Sequence, residues 1–509
     1  MTFKSILLST GALALIACSG APNPETSSAA TSATEKSEPP NILWIVVEDV
    51  SPWMSAYGDN TVETPALDKM AADGVTLLNV FSPNPICSPT RSALMTGKFP
   101  TTTGVHNHRR TRDSKGRDAI YLPKGELTLP EIFQQNGYAT FNIGKDDYNF
   151  VYDRRGLYSE GPDDVEGHIG DRVGPKFDWT KLAAGKPFFG QIQLKGDKNK
   201  KLKGIEFDES KPEFPPYYPD TKTQRKKFND SYRAIVKTDQ EVAEILAKLQ
   251  TTGEADNTAV FFISDHGMGM LRHKQFIYDG GVHVPLFITY PKGQDFIRQN
   301  GARREELMSL IDVSAAALEV ANIPVPEYFE SRAILGENVD ERTFVPLSRD
   351  RADYTFDHMR GIRTHKFHYI RHKFPDTPYL LPSYRDEKAH TIEYRKLYAE
   401  GKLTPAQSVL MAPTRPAEEL FDVKADPHQV NNLAGDPAYA DALSDMRNTL
   451  DTWISESGDK GQVEETETEI AAVVARWQEK CVDPRCVAYV KKYGREEQAG
   501  AAGVITTGK

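Results

Sequence analysis

The sequence has few cysteines and no surplus of basic residues, and each shortage excludes a class of protein. Four cysteines in 509 residues exclude a disulfide-stapled scaffold and a zinc module built from several cysteines. Lys and Arg total 62 against 72 Asp and Glu, a net charge of −10, so no nucleic-acid partner is expected. Any polyanionic ligand would have to be held by local clusters of basic residues.

The N-terminus carries a short apolar stretch in place of a long one. It runs from Ile6 to Ala17 behind Lys4 and is too short to span a bilayer as a stable helix. It ends in Leu-Ile-Ala-Cys, which resembles a bacterial lipobox, so residues 1–17 are the expected signal peptide and Cys18 the expected lipidation site. An ordinary cleaved signal peptide is the alternative. The prediction is a lipid-anchored protein of the bacterial envelope, periplasmic or outer-membrane, with residues 18–40 as a flexible linker.

The rest of the chain has the composition of a globular protein, with 39% hydrophobic and 26% charged residues. Apolar strands alternate with amphipathic helices from residue 41, which predicts a large α/β domain over 41–330. The predicted strands are 41–47, 138–143, 187–194, 258–264 and 284–290, and the predicted helices are 67–74, 127–137, 230–250 and 312–322. After Pro326, short strands at 366–371 and 419–423 precede helices at about 436–456 and 464–480. This predicts a smaller α+β domain over 331–509.

Two of the predicted strands end in acidic residues. Glu48 and Asp49 follow one of them, and Asp265 and His266 follow another. Active sites of open α/β sheets collect at the carboxyl ends of the strands, and oxygen ligands from two strand ends suit Ca²⁺ or Mg²⁺. Acids in such positions also often cap the next helix, so this pattern alone leaves the metal site open.

The segment at 85–97 reads P-I-C-S-P-T-R-S-A-L-M-T-G. A lone cysteine is usually a small buried hydrophobe, but Cys87 is followed by Pro89 and Arg91 and then by L-x-T-G. This arrangement resembles the signature of the type I sulfatase family, whose cysteine is oxidised to formylglycine before the chain folds. The signature is specific because a modifying enzyme must read these residues.

The resemblance extends over most of the chain. The further matching segments are 41–49, 64–68, 71–75, Gly144-Lys145, 264–267, Lys274 with 278–285, and 419–422 with 426–427 and 432–434. It implies the alkaline-phosphatase-like α/β fold, a large central mixed sheet flanked by helices, with a smaller C-terminal α+β domain. The implied catalytic residues are Cys87, Arg91, Lys145 and Lys274. The implied metal ligands are Glu48, Asp49, Cys87, Asp265 and His266.

The implied activity is hydrolysis of O- or N-sulfate on a sulfated carbohydrate, with Ca²⁺ or Mg²⁺ and a formylglycine made from Cys87. One hydroxyl of the formylglycine hydrate would attack sulfur and expel the alcohol or amine of the sugar, and the other would then eliminate sulfate and restore the aldehyde. Arg91 would hold residue 87 and the metal-ligand acids, and Lys145 and Lys274 would neutralise the sulfate oxygens. The implied partners are a sulfated glycan, a formylglycine-generating or anaerobic sulfatase-maturating enzyme, and the membrane through the lipid anchor.

The sequence departs from the family pattern at several positions. Glu48 stands where the first metal acid is usually Asp, and Asp147 stands two residues after Lys145, where the family usually has His. A second family histidine, expected after the strand at 187–194, is replaced by Lys195 and Lys198 in that region. The acid that protonates the leaving group therefore stays open. The candidates are His168, His273 and His283.

Two basic clusters and a cysteine pair are the remaining features. The first cluster contains His106, His108, Arg109, Arg110 and Arg112. Its first three members are predicted to bind a second sulfate or a uronate carboxylate, with a solvated face as the alternative. The second cluster contains Arg349, Asp350, Arg351, His358, Arg360 and Arg363 and is a further candidate for substrate contacts. Cys481 and Cys486 predict a local disulfide.

Two other functions stay open from the sequence. Phosphonate and phosphodiester hydrolases share the fold, and a second set of His and Asp metal ligands would favour them. A catalytically inactive, lipid-anchored glycan-binding protein is the other alternative, and Asp147 together with the missing histidine keeps it open.

Overall fold

The computed structural model describes residues 39–480, except 110–118, 160–184, 292–300, 337–338 and 340, and also residues 487, 488 and 491. Several sequence predictions lie outside the described residues, namely those on Cys18, Arg110, Arg112, His168 and the pair Cys481 and Cys486. Within the described part, no helix combines the length and the apolar character that crossing a bilayer requires.

A seven-stranded sheet forms the centre of the fold. Its strands are β1 (Asn41–Val47), β2 (Val75–Phe81), β3 (Ala139–Ile143), β4 (Phe188–Leu194), β5 (Thr258–Ser264), β6 (Leu286–Thr289) and β7 (Ala302–Ser309). Their order is β3-β4-β1-β5-β6-β2-β7. The first four strands in this order, β3, β4, β1 and β5, run parallel to one another. β6 is antiparallel to both of its neighbours, β5 and β2. The mixed sheet that the family resemblance implies is therefore confirmed.

Both faces of this sheet are buried. Leu43, Ile45 and Val47 of β1 join one core cluster, and Ile42, Trp44 and Val46 join the other. Successive side chains of a strand point to opposite faces, so a strand covered on both sides reads as one continuous apolar run. This burial explains why β1 is recognisable in the sequence.

Helices flank the sheet and extend into the C-terminal part of the described chain. They are α1 (Pro65–Asp73), α2 (Cys87–Thr96), α3 (Pro100–Thr103), α4 (Leu129–Gln135), α5 (Arg154–Leu157), α6 (Lys222–Thr252), α7 (Asp279–Val282), α8 (Asp312–Val320), α9 (Ala389–Ala399), α10 (Pro405–Ser408), α11 (Ala440–Ser457) and α12 (Glu467–Trp477). The apolar stripe of α6 joins the first core cluster, whereas α2, α4 and α8 pack into the second. The helix that carries Cys87 is thus anchored in the core.

A second, smaller sheet follows in the C-terminal part of the chain. It contains β8 (Val345–Arg349), β9 (Met359–Arg363), β10 (Phe367–His372) and β11 (Glu418–Asp422), all antiparallel in the order β11-β10-β9-β8. Ser348 N donates to Pro83 O at 3.0 Å and His108 N to Arg351 O at 2.9 Å. The chain from Pro39 onward groups as one compact unit. The division at residue 330 stays a prediction, and it falls between α8 and β8.

Candidate active site

The carboxyl ends of β1 and β5 lie side by side. Val47 pairs with Ser264 in the parallel register, so the acids that follow each strand meet at one edge. The Asp49 N–H donates to Asp265 Oδ1 at 3.1 Å, and the Val50 N–H donates to Ser264 Oγ at 3.0 Å. Asp49 has a φ of +58°. This conformation is rare for residues other than glycine, and the exceptions cluster at functional sites. The structure thus brings Asp49 next to Asp265 and His266.

Cys87 is the first residue of α2 and is only 4% exposed. Its Sγ lies 3.3 Å from His266 Nε2 and 3.3 Å from Lys274 Nζ, with Lys198 Nζ at 3.6 Å. Burial alone would raise the pKa of the thiol, but the ammonium groups of Lys145, Lys198 and Lys274 outweigh burial and lower the pKa to about 6. The position is therefore suited to a nucleophile that carries negative charge.

Four of the five predicted metal ligands converge around Cys87. The ligand atoms of Asp49, Cys87, Asp265 and His266 all lie within 4.8 Å of one another, and all four residues are buried. Lys274 Nζ donates to both carboxylate oxygens of Asp49, at 2.9 and 3.0 Å. Two buried carboxylates this close need compensating positive charge, and carboxylate oxygens are what Ca²⁺ and Mg²⁺ bind. The donor set fits such a cation.

Glu48, the fifth predicted ligand, lies outside this converging set. Its carboxylate contacts Lys145 Nζ, lies 2.9 Å from Lys198 Nζ and lies 3.6 Å from Arg91 Nη2. Burial raises its pKa, yet these three cations together hold the pKa well below the usual range. Glu48 therefore anchors the basic side chains of the site, and its role as a metal ligand stays a prediction.

Arg91 lies one turn after Cys87 and faces the acids, as the resemblance implies. Its Nε donates to Asp265 Oδ2 at 3.1 Å, and its Nη1 donates to Gln193 Oε1 at 2.6 Å. The side chain is almost fully buried, so these bonds are little weakened by water. The guanidinium ties α2 to the ends of β4 and β5.

Two lysines of the site follow the ends of β3 and β4, whereas Lys274 lies in the loop after β5. Lys145 follows β3, and its Nζ lies 3.1 Å from Asp147 Oδ2. Lys198 closes a short turn after β4, whereas Lys195 does not line the catalytic cleft. The resemblance did not assign a role to Lys198. Lys198 could nevertheless be predicted from the rule that active sites collect at the carboxyl ends of strands, because β4 lies directly beside β1.

These residues open into a cleft of about 720 Å³, a size typical of ligand sites. The residues predicted from the sequence that line it are Asp49, Cys87, His108, Arg109, Lys145 and Lys274. The sequence analysis missed its C-terminal wall, which contains Tyr384, Arg385, Lys388, His390 and Trp477. Its first four residues come from a segment with no motif, about 300 residues beyond Cys87, and Trp477 comes from the end of α12.

Part of the predicted substrate-binding set lies elsewhere. His106 lines a separate cleft of about 180 Å³. The second basic cluster is absent from the catalytic lining, and its arginines meet carboxylates. These contacts are Arg349 with Asp357, Arg351 with Glu465, Arg360 with Asp350 and Asp459, and Arg363 with Asp279. These arginines therefore pair with acids of the chain, and Asp350, Arg351 and His358 line the same small cleft as His106. A substrate-binding role for this cluster stays a prediction.

Two of the three histidines proposed as leaving-group acids, His273 and His283, lie away from Cys87. His273 Nε2 is 3.3 Å from the hydroxyl of Tyr217, and His283 Nε2 is 2.7 Å from Leu78 O. Both histidines line a different cleft, of about 850 Å³. The histidines that line the catalytic cleft within the described residues are His108 and His390.

The chain is similar to known proteins over most of its length. The Sulfatase family model matches residues 40–323. An ulvan-active sulfatase of Formosa agariphila is 31% identical over 464 residues, which cover 84% of this chain and 77% of that protein. A solved structure of a 2-O GAG sulfatase has a TM-score of 0.62 at 21% identity, covering 88% of this chain and 96% of that one.

A second solved structure holds its substrate, D-glucosamine-2-N,6-O-disulfate. It has a TM-score of 0.61 at 18% identity and covers 84% of this chain and 100% of that one. At these identities the two structural matches show the alkaline-phosphatase-like fold, whereas the family model and the Formosa relative show the family. The chain belongs to the sulfatase family and is a sulfuric ester hydrolase.

Proposed function

We propose that this sulfatase acts on a sulfated carbohydrate and uses a formylglycine made from Cys87 as its nucleophile. The observation that carries the proposal is the placement of Cys87 Sγ, which lies 3.3 Å from both His266 and Lys274 in a buried cluster of acids. Sγ stands here for the hydrate oxygen that would replace it. A formylglycine hydrate supplies two geminal hydroxyls, one to attack sulfur and one to release sulfate.

The proposed cofactor is Ca²⁺, with Mg²⁺ as the alternative. Asp49, Asp265 and His266 would hold it beside residue 87. A bound divalent cation supplies a lowered pKa at the attacking hydroxyl and orients the sulfate oxygens. The carboxylates support Ca²⁺ because its ligands are mainly oxygens.

The basic residues of the chain would receive the sulfate. Lys145, Lys198 and Lys274 surround Sγ, and burial does not remove their charge because the nearby acids keep the pKa of each ammonium raised. Positive groups fixed before the reaction stabilise the charge that develops on the sulfate oxygens. Arg91 holds the Asp265 carboxylate in place through the bond from Nε.

The proposed substrate is a sulfated glycan at the bacterial envelope. The cleft supports it, since Tyr384 and Trp477 offer aromatic rings to a sugar and the lining is rich in lysine. The relatives also support it, because their names refer to ulvan, GAG and a glucosamine disulfate. The lipobox-like segment ending at Cys18 supports a lipid anchor.

The first test is the mass of the tryptic peptide that carries Cys87, from protein purified out of its native envelope. Conversion of CH₂SH to CHO removes about 18 Da, and we expect that loss. An unmodified thiol would contradict the proposed nucleophile. The matched control is C87A, which leaves the neighbouring charges in place and cannot be converted.

The second test separates catalysis from binding alone. Sulfate release from a panel of sulfated glycans is measured for the wild type and for C87A, and binding of the same glycans is measured by calorimetry. We expect release by the wild type only, with binding by both proteins. Binding without release by a wild type that carries the modified residue would favour the inactive glycan-binding alternative.

A further inference from the structure

A buried arginine without a carboxylate partner lines the catalytic cleft. Arg385 is 2% exposed, and its Nη2 donates to the backbone carbonyl of Lys274 at 2.5 Å. Its Nε and Nη1 have no hydrogen-bond partner in the described part of the chain. The rings of Phe276 and Tyr384 lie 5.9 and 5.7 Å from the guanidinium carbon. These contacts leave the charge uncompensated by any described acid.

Several other buried arginines of the chain meet acids, although Arg272 donates instead to the backbone carbonyls of His428 and Gln429. Arg342 pairs with Asp312 at 2.5 Å, and Arg360 pairs with Asp350 at 3.0 Å. A buried cation is costly unless it is paired. Arg385 therefore destabilises the folded protein in a way that those two arginines do not. An anion bound in the cleft would relieve this destabilisation.

The acids of the cleft are already occupied by other cations. Asp197 lies 2.6 Å from Lys227 Nζ, and Asp230 lies 2.6 Å from Lys226 Nζ. Lys388, which follows Arg385 by one turn and lines the same cleft, is exposed and has no carboxylate within 4.0 Å among the residues described. Positive charge is thus in excess on this wall.

We infer that Arg385 and Lys388 form a subsite for a second anionic group of the substrate, a sulfate or a carboxylate, apart from the sulfate that is hydrolysed. The inference rests on the proposed function. A guanidinium with two free N–H groups can bind an oxyanion with two parallel bonds. Arg385 donates a hydrogen bond to the backbone carbonyl of Lys274, and Lys274 Nζ lies 3.3 Å from Cys87 Sγ. The subsite therefore adjoins the reaction centre.

A subsite of this kind restricts the sugars that the enzyme prefers. The preferred sugar carries two anionic groups on one residue or on neighbouring residues, so a glycan with a single sulfate and no uronate binds more weakly. The second group is either a sulfate or a uronate carboxylate, and both present oxygens to the guanidinium.

Binding to C87A, measured by titration calorimetry, tests the subsite without turnover. The probes are a monosulfated hexosamine, the same sugar with a second sulfate, and a monosulfated disaccharide that contains a uronate. We expect R385M in the C87A background to weaken binding of one or both dianionic probes by about 10- to 100-fold and to change binding of the monosulfated sugar less than twofold. Whichever dianionic probe loses affinity identifies the second group.

Two further variants make the test decisive. Arg395 is exposed, pairs with Asp386 at 2.8 Å and lies outside the cleft, so R395M should change no affinity. Lys388 is exposed, so K388M should fold even if R385M does not, and it should weaken the same dianionic probe about 3- to 10-fold. Equal binding of the mono- and dianionic probes to C87A would overturn the subsite.

Kinetics separate the subsite from a positioning role. In the active enzyme, R385M should raise KM for the dianionic substrate and leave kcat within about twofold. An equal fall of kcat on both kinds of substrate would mean that Arg385 only positions Lys274, and would overturn the inference. Absence of any sulfate release by the wild type would count against the proposed function instead, while the calorimetry still decides the subsite.

Discussion

At the scale of single residues, the structure distinguishes two lysines that the sequence leaves equivalent. Lys198 lies 3.6 Å from Cys87 Sγ and 2.9 Å from Glu48, whereas Lys195 does not line the cleft. Lys198 thus stands in the turn after β4, the region where the family's histidine is expected. Its pKa is held well above the ordinary value, since nearby acids outweigh burial, so it acts as a fixed positive charge.

Replacing Lys198 with Met should slow the reaction. Loss of one fixed charge at the developing negative charge lowers kcat by about 100-fold, with a smaller change in KM. Sulfate release under saturating substrate measures the effect. K195M is the matched control and should stay within about twofold of the wild type. Comparable losses in both variants would contradict the specific role of Lys198.

Removal of divalent cations should abolish activity. Asp49 and Asp265 approach one another in a buried place, so loss of the cation removes part of the positive charge that compensates them. We expect dialysis against a chelator to stop sulfate release and added Ca²⁺ or Mg²⁺ to restore it. D49N should bind Ca²⁺ at least about 100-fold more weakly in a competition with a calcium indicator. Full activity of a protein shown to be free of metal would refute the proposed cofactor.

E48Q separates the two roles that remain for Glu48. If the residue only anchors lysines, E48Q retains Ca²⁺ binding and loses turnover, because Lys145 and Lys198 lose their common partner. A loss of Ca²⁺ affinity as large as that of D49N would instead establish Glu48 as a ligand. Calcium titration of the two variants side by side gives the answer.

At the scale of elements, four neighbouring parallel strands deliver the catalytic groups to one edge. β3 is followed by Lys145, β4 by Lys198, β1 by Asp49 and β5 by Asp265. The turn after β4 depends on Gly196, whose φ is +50° and where a Cβ would lie 1.9 Å from Glu48 O. No other residue type fits this turn without moving the loop that carries Lys198.

Replacing Gly196 with Ala should therefore damage both stability and activity. The clash with backbone and the positive φ cost about 1–3 kcal/mol, and the displaced Lys198 lowers kcat. Urea unfolding and sulfate release measure the two effects. Gly204 has a φ of +84° but open space around it, so G204A should cost about 1 kcal/mol and keep full activity. Equal behaviour of the two variants would contradict the argument from the clash.

The sequence predicts several strands that are buried along their whole length, but it misses β2, β8 and β9, whose buried runs are interrupted by polar or charged residues. The strand predicted at 258–264 coincides with β5, and β1 and β4 agree within a residue. The first half of β7 alternates exposed charged residues with partly buried ones, so it has no apolar run to detect. The helix predicted at 230–250 begins at Lys222 instead, because a polar first turn capped by the Thr221 side chain extends it.

The candidate site divides in the same way. Cys87, Asp49, Asp265 and Lys274 could be predicted because motifs and strand ends identify them. Arg385 could not, because only tertiary packing brings the short turn at 384–387 to the cleft. His106 lies only two residues before His108 but lines another cleft. The sequence shows a run of basic residues there and does not distinguish the two positions.

At the scale of the whole molecule, one ion-pair network links segments that are distant in sequence. Arg360 of β9 donates to Asp459 at 2.6 and 3.0 Å and to Asp350 at 3.0 Å. Burial raises the pKa of Asp459, yet the bonds and charge of Arg360 outweigh it and lower the pKa to about 2. A carboxylate with a depressed pKa stabilises the fold above its unfolded pKa and loses that effect as the pH falls toward 2.

D459N should therefore destabilise the protein in a pH-dependent way. The shift of the pKa from 3.8 to about 2 corresponds to about 2 kcal/mol near neutral pH. Thermal unfolding of the wild type and D459N between pH 3 and 7 should show a constant gap above about pH 5 that narrows below pH 4. A gap that widens toward acid pH would show the opposite sign and refute this role of Asp459.

The unpaired guanidinium of Arg385 implies a trade-off between thermal stability and function. A buried charge without a partner weakens the folded state, and an apolar side chain of similar length removes that weakness. R385M should therefore melt at a higher temperature than the wild type, although it loses selectivity for dianionic sugars. A dianionic ligand should raise the melting temperature of the wild type, since binding to the folded state stabilises it, and should raise that of R385M much less. Arg385 would therefore select the substrate and, in the absence of substrate, lower the stability of the folded protein.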